Sequence, residues 1–246
     1  MSDTGLSDTD SMKGRLAHIK QRIALACERV GRPPEDVVLL PVSKTFDAEL
    51  VRAAMALGLD RFGENKIQEI AQKRDELGSP LARWVMIGHL QSNKAKDAAR
   101  FVDEVQSVDR LSLAEALDRR LQSEGRALDI LIQVKTSSEP SKFGLDPSQL
   151  PAFLGQLAAF DTLRVQGLMT MAVNSSDEAA VRHCFRSLRL WRDRLRDAGA
   201  ESMTRLSMGM SGDFELAIEE GSTEVRIGSA LFGARDYTSA AEAQAN

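Results

Sequence analysis

The chain has 246 residues, 43% hydrophobic and 28% charged, with a formal net charge of −4. That balance is ordinary for a globular protein, and the length suits one large α/β domain or two small ones, with a core that needs no disulfide or metal staple. No Lys/Arg block marks a phosphate-reading face, which argues against a nucleic-acid binder. No apolar run approaches the roughly 20 residues of a membrane span. The Ser/Asp/Thr-rich start, Met1–Ser11, lacks the apolar core of a signal peptide and reads as a disordered tip. Cys27 and Cys184, far apart and without metal-ligand spacing, read as reduced, partly buried thiols. These features lead us to expect a cytoplasmic protein. With no long exposed apolar stripe in the sequence, a monomer is expected.

From Met12 to Val30, apolar residues recur at helical spacing (Leu16, Ile19, Ile23, Ala26, Val30), and Gly31, Pro33 and Pro34 end that helix. After it, eight short strand candidates alternate with amphipathic stretches. The strands are Val37–Val42, Arg61–Phe62, Trp84–Ile87, Glu104–Val108, Ile130–Val134, Val165–Met169, Arg205–Ser207 and Glu224–Ile227. The helices between them are Ala48–Leu57, Ile67–Leu77, Asn93–Phe101, Ser112–Glu124, Ser148–Phe160, Glu178–Ala198 and Phe214–Glu220. Several strands are continuous apolar runs, as when helices cover a parallel sheet. An open doubly wound sheet would want a Gly-rich turn after the first strand, but that turn reads Ser43-Lys44-Thr45-Phe46. The expectation is therefore an α/β single (β/α)8 TIM barrel over residues 12–238, with an extra N-terminal helix and a flexible tail at 239–246.

Barrel chemistry sits at the C-terminal ends of the strands. There Lys44 ends the run Val37-Val38-Leu39-Leu40-Pro41-Val42. It is either a solvated rim lysine or a partly desolvated amine, whose lowered pKa would suit Schiff-base chemistry. Ser211-Gly212-Asp213 opens the helix Phe214–Glu220, and Gly228-Ser229 follows the last strand. Barrels often hold phosphate in these two loops, although Ser211 is equally readable as a plain N-cap. Arg226, inside the last strand, needs an acceptor, which is either a pyridine nitrogen or a neighbouring carboxylate.

At these residues the sequence resembles the pyridoxal phosphate homeostasis proteins (the YggS-like family), whose fold is similar to the barrel domain of alanine racemases. The resemblance is carried by Val42-Ser43-Lys44-Thr45, Phe62-Gly63-Glu64-Asn65, Ile87-Gly88-His89-Leu90-Gln91-Ser92-Asn93-Lys94 and Gly167-Leu168-Met169-Thr170. It continues through Leu206-Ser207-Met208-Gly209-Met210-Ser211, Gly221-Ser222-Thr223 and Val225-Arg226-Ile227-Gly228. It implies pyridoxal 5′-phosphate (PLP) as the cofactor, with Lys44 as the Schiff-base lysine, Ser211, Gly228 and Ser229 at the phosphate, and Arg226 facing the pyridine nitrogen. Asn65 and His89 match family motifs on the same rim; a hydrogen-bonded packing role for His89 is as compatible as a catalytic one. Lys142 also fits the pattern. Lys135 departs from it, standing where the family usually has Asn, and offers a second amine at the end of strand five.

The resemblance implies a protein that holds PLP and supplies it to apo-enzymes. A PLP-dependent racemase is the alternative. It needs a second base, which alanine racemases take from a tyrosine of another domain; the only tyrosine here is Tyr237 near the tail, leaving His89 or Lys135 as substitutes. A barrel enzyme acting on a sugar phosphate without PLP is a third reading.

Overall fold

The computed structural model describes residues 11–78, 80–137, 139 and 143–233. The expected tips at 1–11 (Ser11 apart) and 239–246, with Lys142 and Tyr237, lie outside the described residues. Eight parallel strands, each continuous apolar run finding a helix to cover it, occur in order: β1 (Val38–Pro41), β2 (Arg61–Glu64), β3 (Arg83–Met86), β4 (Glu104–Val108), β5 (Leu128–Gln133), β6 (Leu163–Met169), β7 (Arg205–Met210) and β8 (Glu224–Ile227). Their hydrogen-bonded order is β1-β8-β7-β6-β5-β4-β3-β2. A parallel bridge from Val42 to Gly63, with the Ser43 N–H donating to Gly63 O at 3.1 Å, joins the two ends. The result is the expected (β/α)8 barrel.

The helices are α1 (Met12–Arg29), α2 (Ala48–Ala56), α3 (Ile67–Leu77), α4 (Ala95–Phe101), α5 (Leu111–Glu124), α6 (Leu150–Leu157), α7 (Glu178–Asp197), α8 (Phe214–Glu219) and α9 (Ser229–Phe232). Helix α1 starts at Ser11, whose hydroxyl accepts from the Gly14 N–H. It buries Leu16, Ile19, Ile23, Ala26 and Cys27, the stripe read from the spacing. Arg22 pairs with Glu215 and stacks on the Phe214 ring, and Arg15 donates to Leu231 O, so α1 covers α8 and α9.

Two strand ends differ from expectation in ways that shape the upper rim. β7 runs on to Met210, so the loop it feeds starts three residues later than the apolar run suggested. β5 ends at Gln133, because Gly144 (φ 132°) turns the chain back and Leu145 exchanges hydrogen bonds with Gln133 and Lys135. A Cβ on Gly144 would meet the Lys135 nitrogen at 2.8 Å.

The barrel interior is not the usual stack of apolar layers. Glu104, Gln106, Ser207, Glu224 and Arg226 are buried within it. At the lower end Arg61 and Arg205 each bridge Glu104 and Glu224, with N–O distances of 2.8–3.0 Å. The Gln106 amide donates to both carboxylates and accepts from the Ser207 hydroxyl, which in turn accepts from Arg226. One polar chain thus runs from the floor of the barrel to its upper layer.

Candidate functional site

Seven residues singled out in the sequence, Lys44, Asn65, His89, Ser211, Arg226, Gly228 and Ser229, line one cavity at the C-terminal mouth. Its volume, about 430 Å³, lies within the range of small-molecule sites. Its apolar wall is Met169, Met171 and Met210, with Phe143. The methionines stand at the strand ends where barrel chemistry is expected, but the sequence reading gave none of the four a role. Lys135 does not line the cavity. Its charge is felt at Asp146, whose carboxyl is held low mainly by the Ser148 hydroxyl and N–H and to a smaller extent by Lys135.

Lys44 lies two residues beyond Val42 of the closing bridge and is half-buried. Around it the chain makes a tight turn: the Phe46 N–H donates to Ser43 O at 3.1 Å, and Thr45 has φ 68°. Glu69 of α3 accepts from the Thr45 N–H at 2.9 Å. Beneath the turn, Glu64 accepts from the Ser43 hydroxyl at 2.7 Å and from the Lys73 ammonium at 2.5 Å, and Lys73 also donates to Ser43 O at 2.7 Å. Burial raises Glu64 to about 7, outweighing Lys73 and Ser43, which lower it; Glu69 adds to the rise.

A carboxyl raised from 4.5 to about 7 on folding stabilises the fold fully below pH 4.5, and that stability is lost as pH rises through 7. The contribution is on the order of 3 kcal/mol. Urea midpoints at pH 5 and pH 8 should therefore differ more for the wild type than for Glu64→Gln, in the direction of greater stability at pH 5. Equal differences in the two proteins would contradict the assignment.

Arg226 is 4% exposed. One terminal nitrogen donates to the Ser207 hydroxyl at 2.8 Å and the other to Thr170 O at 2.7 Å, so the guanidinium plane is fixed. Burial lowers its pKa to about 10, with Glu224 and Asp213 offsetting part of the fall, so it remains a cation at neutral pH. Of the two acceptors the sequence left open, a carboxylate takes none of its described bonds, which go to a hydroxyl and a carbonyl.

Ser211 is not the N-cap of α8. That position belongs to Asp213, whose carboxylate accepts from the Met210 N–H at 2.6 Å, because the longer β7 moves the turn onward and leaves Ser211 on the cavity wall. Gly209, with φ 95°, permits the turn: a Cβ there would meet Ala217 Cβ at 2.6 Å. Opposite, Gly228 and Ser229 open α9. On the remaining rim a Cβ on Gly88 would lie 2.3 Å from Asn65 O, so only glycine lets the ends of β2 and β3 approach and bring Asn65 and His89 side by side. His89 stacks on Phe143 with ring centroids 4.0 Å apart, and its Nδ1 faces Asp109 at 3.9 Å.

Comparison with known proteins agrees with this geometry. The family model "Alanine racemase, N-terminal domain" matches residues 15–236. The chain is 43% identical over 222 residues to the pyridoxal phosphate homeostasis protein of Pseudomonas aeruginosa, covering 90% of this chain and 95% of that one. It is 40% identical to that of Aquifex aeolicus, over 91% and 98%. PipY of Synechococcus elongatus, solved with PLP bound, is similar with a TM-score of 0.77 and 40% identity over 87% of this chain and all of that one. An alanine racemase of Clostridium difficile shares the fold, with a TM-score of 0.74 at 14% identity. Strand order, cavity and sequence kinship converge: the chain belongs to the family of pyridoxal phosphate homeostasis proteins, built on the alanine racemase N-terminal domain fold.

Proposed function

We propose that the cavity holds PLP, with Lys44 as its Schiff-base lysine, and that the protein stores the cofactor and hands it to apo-enzymes rather than turning over a substrate. In this reading Ser211, Gly228 and Ser229 hold the phosphate, Arg226 faces the pyridine nitrogen, and Asn65 and His89 complete the rim. One observation carries it: an amine, a fixed guanidinium and two small, donor-rich turns face a single cavity with a largely apolar wall. That donor set fits an aromatic aldehyde bearing a phosphate. The relatives named for PLP homeostasis and the PLP-bound PipY support it.

When bound, PLP supplies an aldehyde that condenses with amines and a ring that withdraws electrons. The residues of this chain do the rest. Lys44 presents the amine to the cavity from its rim, the turns anchor the anionic end, and the methionines exclude water. Arg226 can donate a hydrogen bond to a ring nitrogen without surrendering its proton, which leaves the ring a weak electron sink. Alanine racemases resemble this chain in that arginine, so the case against a racemase rests on the second base. Among the described lining residues whose side chains titrate, His89 alone is left beside Lys44 and Arg226, and it is stacked on Phe143.

The same reading makes residues 12–238 one functional domain and the protein a cytoplasmic monomer. Buried free thiols at Cys27 and Cys184 support the former compartment. Scattered single exposed hydrophobics such as Leu25, Leu81 and Leu190 support the latter state. Among the described residues no helix is long and apolar enough to cross a membrane.

The test mixes PLP-loaded protein with an apo-form of a PLP enzyme in the presence of a trap for free PLP. We expect the apo-enzyme to gain activity despite the trap, and no sustained loss of the Cα proton from D- or L-amino acids. Sustained turnover of either enantiomer would overturn the carrier reading.

A further inference from the structure

We propose that Glu64 and Lys73, with Glu69 beside them, are positioning residues that aim Lys44 into the cavity by gripping the backbone on both sides of it. The proposal rests on Lys44 being the cofactor-bonding amine.

The three acid and base groups do not pair merely with one another. Lys73 spends a hydrogen bond on Ser43 O, Glu64 takes the Ser43 hydroxyl, and Glu69 takes the Thr45 N–H. Residues 43 and 45 are thus tied down by side chains from β2 and α3, and residue 44 lies between the ties. The turn needs restraint. Thr45 is the sole non-glycine residue with positive φ among the described residues, a conformation that costs of order 1–3 kcal/mol and persists only where surroundings enforce it.

The couple is also an expensive way to fill space. Lys73 is 4% exposed and Glu64 fully buried, and the second Glu64 oxygen has no hydrogen-bond partner. Well-packed apolar side chains of the same volume would serve stability as well or better. What such side chains could not do is hold a carbonyl, a hydroxyl and, through Glu69, an N–H in fixed directions. Forming the link requires the neutral Lys44 amine to attack the aldehyde carbon, making a C–N bond while the carbonyl oxygen leaves as water. That step is sensitive to the approach of Nζ, and a misplacement of 1 Å can cost about 100-fold. The orphaned oxygen gives the grip a proton dependence: protonating Glu64 removes the negative partner of Lys73, with Glu69 the other carboxylate facing that ammonium at 3.9 Å.

The experiment mixes the full-length PLP-free protein with PLP and follows the imine band by stopped flow from pH 5.5 to 8.5. Wild type, Glu64→Gln, Lys73→Met and the milder, partly exposed Glu69→Gln are compared, each checked for a cooperative melt. We expect loading to slow by about tenfold or more in Glu64→Gln and Lys73→Met, and less in Glu69→Gln. We also expect the wild-type pH profile to lose an inflection in Glu64→Gln. Each variant is then remade in a Lys44→Ala background and non-covalent PLP affinity is measured; the effects should collapse there, as for residues that act through Lys44. If wild type itself yields no borohydride-reducible adduct on Lys44, the reading beneath the proposal fails. If the adduct forms normally but the variants load at the wild-type rate and pH profile, the proposal alone is overturned. Effects that persist undiminished in the Lys44→Ala background would assign a purely structural role and overturn it too. Should both buried variants fail to fold, Glu69→Gln decides: wild-type loading overturns the proposal, slowed loading supports it.

Discussion

Lys44→Ala should give a folded barrel that forms no borohydride-fixable adduct with PLP. The side chain is half-buried at the rim and stands above a turn held by its neighbours, so its removal should change the melting temperature little. Retention of PLP should change greatly. In the proposed reading the turns at Ser211 and at Gly228 and Ser229, with Arg226, still offer charge-assisted hydrogen bonds, each worth about 1.5–3 kcal/mol, so binding falls to a reversible equilibrium. On gel filtration the wild type should keep its visible imine band and Lys44→Ala should lose it. Mass spectrometry after reduction should find the added mass in the wild-type peptide containing residue 44. A reducible adduct that survives the substitution would move the imine to another lysine. It would also remove the basis for an aimed amine at this rim.

The second large effect lies at the other end of the barrel. Glu224→Ala should destabilise the protein by about 3–5 kcal/mol, the cost of breaking a buried ion-pair cluster from one side. Arg61 and Arg205 would then share Glu104 alone, and the Gln106 amide would lose one of its two acceptors. Burial by itself would push the Glu224 carboxyl up, but Arg205 and Arg61, with the Gln106 amide, outweigh it and hold it below 4.5. A depressed acid contributes stability that is present above its unfolded value and lost as pH falls through the folded one. Acid unfolding of the wild type should accordingly be steeper than that of Glu224→Gln. Urea denaturation read by tryptophan fluorescence checks both statements. A loss under about 1 kcal/mol in Glu224→Ala would show that the cluster is dispensable to the fold.

The parts of the molecule legible in the sequence were those written in short-range order. The α1 stripe, the strand runs and the turn residues at Ser43-Lys44, Gly209–Gly212 and Gly228-Ser229 are each decided by neighbours a few positions away. Boundaries were less legible: β7 continues through Met208, Gly209 and Met210 because pairing with β8 extends to Arg226, which no local pattern encodes. Least legible was everything made by closure. Arg61, Glu104, Arg205 and Glu224 each begin a strand, where a charge normally marks the solvent edge. Only the curvature of the sheet brings the four to one point. Lys73 reads as an ordinary charge on an amphipathic helix until Glu64 is found beneath it. Lys135 illustrates the opposite error: β5 ends one residue sooner than expected, at Gln133, and the expected cavity amine does not line the cavity.

The ionic floor of the barrel also bears on how the site behaves with temperature. The stabilisation supplied by apolar layers levels off on warming, whereas the hydration that opposes buried ion pairs goes on weakening. A barrel floored by Arg61, Glu104, Arg205 and Glu224 therefore gains relative strength at its base as it is heated. Arg226, tied to that base through Ser207 and Gln106, should stay oriented to higher temperature than the loops above it. Heat would then loosen the rim around the cavity before it disturbs the guanidinium below, giving a warm protein a softened mouth over a rigid seat.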